Sequence, residues 1–269
     1  MKRKTTRKKR NTARHVLTSM KVMAGVVLLG ALMLAGSSLY RYVVKMPEIQ
    51  LTEVVIKGTD RADPEDIEGI VWACSPECIL LIDLEKIKES VETLPWVSEV
   101  IVKRRLPDTL VVEVSERQPT AVAGVDDKLY IVDSTGIILD PFSGQHELLK
   151  KPIVRGLKHQ SRENTGQFNG IRMKTYMEVL SDFQSGTSDY SETISEIDVT
   201  DPGHISIIPK EDPIVIYLGE KSFRERYESF LSRKQLYYQI KKQYGTLQYI
   251  DISFDKQIIF RTENENISG

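Results

Sequence analysis

The side chains best suited to chemistry are sparse in this chain of 269 residues. There are four histidines, His15, His146, His159 and His204, and two cysteines, Cys74 and Cys78. A structural zinc site needs about four nitrogen or sulfur ligands, and no further cysteine or neighbouring histidine joins the cysteine pair. In an oxidising compartment the pair suits a disulfide; two small, half-buried thiols fit the spacing equally well. His15 sits among cations and the other three in polar or turn contexts, which suit surface residues. The chain has no G-x-S-x-G, no G-x-x-x-x-G-K-[ST] and no H-E-x-x-H. Carboxylates are plentiful, but acid–base work needs a pair that converges in a pocket, which spacing along the chain does not show. Asn266-Ile267-Ser268 matches a glycosylation sequon, a tripeptide common by chance. The sequence supports no catalytic residue, no metal ligand and no cofactor-binding residue.

Charge is distributed unevenly. Residues 1–45 hold eleven of the 37 Lys and Arg and none of the 38 Asp and Glu, which leaves 26 basic against 38 acidic residues in 46–269, a net of −12. Between Lys21 and Arg41, nineteen residues (VMAGVVLLGALMLAGSSLY) carry no charge. A hydrocarbon core of about 30 Å takes roughly 20 helical residues, so this segment is just long enough to span it. By the positive-inside rule the basic side stays in the cytoplasm, and the chain from about residue 42 onward lies outside it. The rival reading is a cleaved signal peptide, with Val22–Ala35 as its apolar region and Ala35-Gly36-Ser37 near the cut. The long basic head and the interfacial set Tyr40, Arg41, Tyr42 and Lys45 favour a retained span. That head has no interleaved aromatics, so no nucleic-acid partner is expected.

The elements outside the membrane follow from apolar spacing. Ile49–Gly58 predicts a strand. Asp63-Pro64-Glu65-Asp66 predicts a helix start that leads into Ile67, Ile70, Val71 and Trp72. Leu84, Ile87, Val91 and Leu94 keep helical spacing up to Pro95. Val97–Leu106 and Thr109–Glu116 predict a hairpin across Pro107-Asp108, with Leu110, Val112 and Val114 on one face and Thr109, Glu113 and Ser115 on the other. The order is β-α-α-β-β. Beyond Pro119 strands dominate. Lys128–Leu139 predicts a hairpin about Asp133-Ser134-Thr135-Gly136, with Gly136 at positive φ. A surface loop over Lys158–Gly170 and a helix over Met173–Phe183 follow. Strands are expected at Ile194–Val199, His204–Ile208 and Ile214–Leu218, then one helix over Ser222–Lys241 and strands at Leu247–Ile252 and Gln257–Arg261. The fold class is α+β, with an antiparallel sheet in the second, β-rich region.

The stretch Arg104–Pro119, RRLPDTLVVEVSERQP, carries the most specific signal. Leu94-Pro95-Trp96-Val97, then Leu106-Pro107-Asp108-Thr109-Leu110, then Glu116-Arg117-x-Pro119-x-Ala121 together resemble the FtsQ/DivIB family of bacterial cell-division proteins. The β-α-α-β-β unit is similar to its polypeptide-transport-associated (POTRA) domain, with Leu106 where the family pattern usually has Trp. Tyr130-Ile131-Val132-Asp133-x-x-Gly136 resembles the family's Asp-x-x-Gly hairpin, and Pro152-Ile153-Val154-x-Gly156 the segment after it. Ile214–Gly219 and Tyr249-Ile250-Asp251-Ile252 fit its second domain. The Cys74–Cys78 pair is not part of the pattern. The resemblance implies a cytoplasmic tail at 1–21, a transmembrane helix at 22–40, a POTRA domain at 46–118, a β domain at 119–262 and a short tail at 263–269.

It also implies a non-enzymatic scaffold of the divisome in the cell (inner) membrane at the septum. Its partners would be FtsB/FtsL-type proteins (DivIC and FtsL in some bacteria) and other divisome components, with no cofactor and no small-molecule substrate. The alternatives are a membrane-anchored envelope enzyme acting on the wall and a POTRA-bearing transport component. The family's partner contacts map onto Phe254, Lys256, Ile258, Ile259 and Phe260. The residues themselves point the same way: Ile258-Ile259-Phe260 is a short apolar strand, after which the chain turns polar, and a partner strand can add to such an edge. Phe254 and Phe260 are the large candidate anchors, and Lys256 is a candidate for pairing with an acidic segment. Lys256 and Gln257 stand where the family's turn has small residues.

Overall fold

Helix α1 (Thr6–Val44) begins inside the basic head and runs unbroken through the charge-free segment. Ser19–Val44, 26 residues with a window of mean hydropathy 2.1, is long and apolar enough to cross a bilayer. Its large apolar side chains are exposed. The computed structural model describes residues 6–75, 78–144, 150–159, 165–186, 188–254 and 257–262, with the backbone alone at 6–18 and 165–167. His146, Lys256 and the sequon at Asn266 lie outside the described residues. The chain divides into two compact units, Met1–Ser115 and Glu116–Gly269.

The first unit has the β-α-α-β-β order: β1 (Glu53–Lys57), α2 (Pro64–Cys74), α3 (Leu84–Val91), β2 (Val97–Arg105) and β3 (Thr109–Glu116). Strand β3 lies between β1 and β2, and β1 runs parallel to it with Ile56 opposite Val112. A parallel neighbour needs a crossover, which the two helices provide. Strand β1 starts at Glu53, later than the expected Ile49. Pro47 sets a single 3-10 turn over Pro47–Ile49, and Gln50 makes only an isolated bridge to Cys78. Each helix is capped by an acid: Asp63 accepts from Glu65 N–H, and Asp83 from Glu85 N–H and Lys86 N–H, each cap contributing about 1 kcal/mol. Ile67, Val71, Ile87 and Val91 of the helices meet Leu110, Val112 and Val114 of β3 in the buried interior. Gly58 sits at φ +85°, where an added Cβ would lie 2.1 Å from the Val114 carbonyl oxygen. Both cysteines are free. The Cys74 thiol donates to Ser90 Oγ at 3.6 Å, and Cys78 is buried.

The second unit is one nine-stranded sheet faced by helices. In chain order its elements are β4 (Pro119–Val125), β5 (Lys128–Asp133), β6 (Ile138–Pro141), β7 (Ile153–Arg155), α4 (Thr165–Gln184), β8 (Ile194–Asp198), β9 (Ile205–Pro209), β10 (Val215–Gly219), α5 (Phe223–Ser232), α6 (Lys234–Tyr244), β11 (Leu247–Asp251) and β12 (Ile259–Thr262). The spatial order is β12-β11-β10-β9-β8-β7-β4-β5-β6. The sheet is antiparallel at most of its junctions and parallel at three, β4–β7, β7–β8 and β10–β11. Helices make two of these junctions, α4 between β7 and β8 and α5–α6 between β10 and β11. Met173, Tyr176, Phe183, Phe223, Tyr227, Phe230 and Tyr237 cover Val154, Ile197, Ile207, Ile216 and Ile250.

Two expectations are corrected here. Helix α4 starts at Thr165, so 165–170 is helix and not loop. Buried Asn169 holds that turn in place: its amide donates to the Gly136 and Lys158 carbonyls, and its Oδ1 accepts from Lys158 N–H. The single helix expected over Ser222–Lys241 is two, broken at Arg233 (φ −110°, ψ 16°). At the break Ser232 Oγ bonds back to the Ser229 carbonyl, which competes with the helix ladder.

The motif residues of the second unit meet in space. Asp133 ends β5 and is buried; its Oδ1 accepts from Thr135 N–H, Thr135 Oγ1 and Ile137 N–H. Its other oxygen takes Arg117 Nη1 at 3.0 Å, and Gly136 turns the hairpin at φ +81°. The Glu-Arg-x-Pro and Asp-x-x-Gly segments are thus two halves of one buried ion pair.

Candidate protein-docking site

Backbone polarity makes an edge strand the most reactive part of a sheet towards another chain. An outer row of N–H and C=O groups can accept a partner strand. Strand β12 is such an edge: among the described residues it is paired on one side only, antiparallel to β11. The register places Phe260 opposite Ile250 and Ile259 opposite Asp251. Ile250 is fully buried, so the face of β12 that carries Phe260 and Ile258 turns to the unit's own core, against which both side chains pack. Ile259 turns the other way and is 43% exposed. On that outer face Tyr217 of β10 and Tyr249 of β11 stack edge to face with ring centroids 5.3 Å apart. The outer face at this end of the sheet therefore combines these rings and Ile259 with two charged residues, Asp251 between Ile259 and Tyr217 and Arg261 opposite Tyr249.

The turn before β12 is built by Asp251 and Gly219. Asp251 Oδ1 accepts the Ser253 N–H at 2.8 Å, which bends the chain as β11 ends. Gly219, at φ +80°, leaves room behind the turn: an added Cβ would lie 2.6 Å from Arg226 Nη1 and 3.0 Å from Ser253 Cβ. Arg226 donates to the Leu218 carbonyl and so ties α5 to the end of β10. Phe254 projects from the turn, 53% exposed. Beside it is a cleft of about 240 Å³ lined by Arg226, Ser229, Arg233, Ile252, Phe254 and Ile258. The Glu225 carboxylate also lines this cleft; two guanidinium groups against one carboxylate leave a net positive charge beside an aromatic anchor, which suits a partner segment that is apolar with acidic flanks.

Of the five residues singled out from the sequence, four are described, and they divide into two pairs. Phe254 and Ile259 are free to be covered, whereas Ile258 and Phe260 are half-buried in the unit's own core. Sequence reasoning missed Tyr217, Tyr249, Arg226 and Arg233. Tyr249 was legible in principle, since alternation along β11 puts it opposite to Ile250.

A second concavity, of about 160 Å³, is lined by Ile214, Ile216, Tyr227, Phe230, Leu231 and Tyr237. The acids at its mouth are both paired, Glu211 with Lys234 at 2.8 Å and Asp212 with Lys241 at 2.6 Å. The Lys234 ammonium holds the Glu211 carboxyl below its ordinary range. Burial opposes the charge on Asp212, but Lys241 and the Tyr237 hydroxyl outweigh it and hold this carboxyl low as well. A general acid at neutral pH needs the opposite shift. His204 and His159 are exposed beside Asp201 and Asp126. Among the described residues no group of three or more His, Cys, Asp or Glu is placed to hold a metal ion.

A membrane-length N-terminal helix, a β-α-α-β-β unit and a nine-stranded mixed sheet define the class of protein: an α+β chain with one helix long and apolar enough to cross a bilayer. The FtsQ-type POTRA domain family matches residues 49–117, and the family described as cell division protein FtsQ/DivIB, C-terminal, matches residues 121–253. The chain is 24% identical over 258 residues to the cell division protein FtsQ of Koribacter versatilis, covering 95% of this chain and 72% of that one. It is 24% identical over 243 residues to that of Geotalea daltonii, covering 90% and 86%. A third relative of the same name, from Geobacter sp., is 24% identical over 237 residues, covering 88% and 85%. The chain belongs to the FtsQ/DivIB family of cell division proteins. The C-terminal family match stops at Ser253, so the assignment of the site at Phe254 and β12 rests on geometry.

Proposed function

We propose that this protein is a membrane-anchored, non-enzymatic scaffold of the divisome that binds FtsB/FtsL-type partners by strand addition to β12. The observation that carries the reading is the one-sided pairing of β12 next to exposed Phe254 and Ile259. The partner strand extends the sheet, its apolar side chains cover Ile259 and the Tyr217–Tyr249 pair, and its acidic flank meets Arg226 and Arg233. In this reading 1–21 is a cytoplasmic tail, 22–40 the span, 46–118 the POTRA domain and 119–262 the partner-binding domain, with 263–269 a tail. The protein works outside the cytoplasm at the septum. Cys74 and Cys78 serve as thiols of the interior and not as a bridge.

The test is capture of co-expressed partner ectodomains by the full chain and by its Phe254→Ala and Ile259→Lys variants. Both side chains are exposed, so both variants should fold as the parent does and lose capture. Folded variants that capture the partner at the parental level would place the site elsewhere.

A further inference from the structure

Helix α1 does not simply lead into a linker, because the chain that follows is tied back to its end. The Gln50 side chain donates to the Val44 carbonyl at 2.9 Å and to the Met46 carbonyl at 3.3 Å, and its backbone bridges to Cys78. Cys78 is therefore held beside the point where α1 stops. Around that point lies an open, mainly apolar cleft of about 1040 Å³, lined among others by Val44, Lys45, Pro47, Leu51, Trp72 and Leu81. Trp72, Leu80 and Leu81 are 41%, 47% and 46% exposed. Trp72 and Leu81 line the cleft and Leu80 adjoins Leu81 in sequence; beyond α1, Ile101 and Leu106 are the other exposed large apolar side chains among the unit's described residues.

We propose that this face, Trp72, Leu80 and Leu81 with the end of α1, rests in the headgroup layer of the bilayer that α1 spans. The inference rests on the membrane-anchor reading given above. Depth is the first argument. The charge-free Val22–Tyr40 matches the hydrocarbon thickness, and Arg41–Val44 adds one turn, about 6 Å. The headgroup layer is about 5–7 Å thick on each side, so Val44 lies near its outer limit. Side chains that share a cleft with Val44 sit at the same level. Chemistry is the second argument. Trp is the residue most at home in this layer, with its ring among apolar groups and its N–H in polar surroundings. Trp72 exposes its ring, while its indole N–H donates to Glu68 Oε1 at 3.1 Å. Helix α2 is polar where it starts, at Glu65, Asp66 and Glu68, and apolar at the end that faces the cleft. Tyr40 and Tyr42 are exposed on the last turn of α1, up to about 6 Å deeper than Val44, and Lys45 on the cleft wall suits a lipid phosphate. The bilayer thus orients the first unit as well as tethering it.

The experiment uses the full chain in vesicles of phosphatidylcholine brominated on the acyl chains close to the headgroup. The chain has two tryptophans, and Trp96 is buried, so the difference in emission between the parent and Trp72→Phe reports Trp72 alone. Brominated lipid should remove most of that difference, aqueous iodide should leave it, and Leu80→Glu with Leu81→Glu should restore it. Trp72 emission quenched by iodide and untouched by brominated lipid would overturn the proposal, as would quenching unchanged by the double substitution. Extraction with alkaline carbonate separates the two readings. Protein that stays with the vesicles while Trp72 remains in water leaves the anchor standing and removes only this inference; protein released by carbonate removes both.

Discussion

Strand β2 of the first unit and β12 of the second are both sheet edges, and they are finished differently. The second half of β2 is Lys103, Arg104 and Arg105, all exposed. Lys103 pairs with Glu113, Arg105 with Glu53, and Arg104 bonds to the Ile79 and Ile82 carbonyls. Charge of this kind repels an incoming strand, because its desolvation opposes pairing. The far edge of the large sheet, β6, is as short as β12, four residues, but ends in Asp140-Pro141, whose proline offers no N–H to a further strand. Strand β12 carries Ile259 and Arg261 outward, the one opposite Asp251 and the other opposite Tyr249, and both are exposed. Its outward face is part apolar and part cationic, where the end of β2 is wholly cationic.

The comparison breaks first if an acid in the two sheets has the same effect. In β3, Val112→Asp buries a carboxylate with no partner and should cost about 4 kcal/mol or more, enough to unfold the first unit. Hydrogen exchange of the full chain in detergent should then show 46–115 unprotected while the second unit stays closed. Ile259→Asp in β12 should leave exchange unchanged everywhere and abolish partner capture. Equal protection of 46–115 in the Val112→Asp variant would mean that β3 does not form the core described. The next effect in size is Asp133→Asn. It leaves Arg117 facing a neutral group inside the second unit, and losing one member of a buried pair costs about 3 kcal/mol. Urea unfolding of the second unit should report it, with the first unit unmoved.

What was legible in the sequence is what local pattern dictates. The β2–β3 hairpin, the Asp133–Gly136 turn and the two acid-capped helices were each marked by residues within a few positions. What was not legible depends on partners far along the chain. Asn169 reads as a loop residue, yet it is a buried hub bonded to Gly136 and Lys158. The break at Arg233 is invisible because Phe223, Tyr227, Phe230 and Tyr237 keep helical spacing straight through it. The parallel junctions are invisible because strand direction is set by where a crossover lands. At the candidate site the edge could be expected from a last apolar strand followed by polar chain. Which face of that strand meets the core could not, since alternation over four residues fits either phase. The pairing of Phe260 with Ile250 decides it, and in the proposed strand-addition mode the anchors are then Phe254 and Ile259 and not Phe260.

That assignment is itself testable, with a smaller effect. Phe254→Ala should weaken partner binding by about 2 kcal/mol, roughly thirtyfold, with no change in the melting of the free protein. Phe260→Ala should do the reverse, lowering stability by removing a half-buried ring and weakening binding only through the loosened strand. Calorimetric binding and melting of the two variants side by side separate the roles. If Phe260→Ala weakened binding more than Phe254→Ala at unchanged stability, the facing of β12 would be opposite to that described.

The smallest effect sharpens the comparison between the units through pH. Each unit has a lysine–carboxylate contact at 2.6 Å, Lys103–Glu113 in the first and Lys241–Asp212 in the second. Both carboxyls lie below their ordinary values. For Glu113 the hydrogen bond from Lys103 is the main cause; for Asp212 burial opposes the shift and the bonds from Lys241 and Tyr237 outweigh it. A depressed carboxyl contributes stability that is present above its ordinary value and lost as pH falls through the lower, folded one. Both units should therefore be insensitive to pH from 7 to about 5 and weaken below about pH 4. The difference lies in screening. Glu113 is exposed, so 1 M salt should erase the effect of Lys103→Met. Asp212 is partly enclosed by the Tyr237 ring and hydroxyl, so Lys241→Met should flatten the acid limb of the second unit's urea stability at low and high salt alike. If salt erased both effects equally, the Asp212 network would be a surface pair like that of Glu113, and the two units would be electrostatically equivalent.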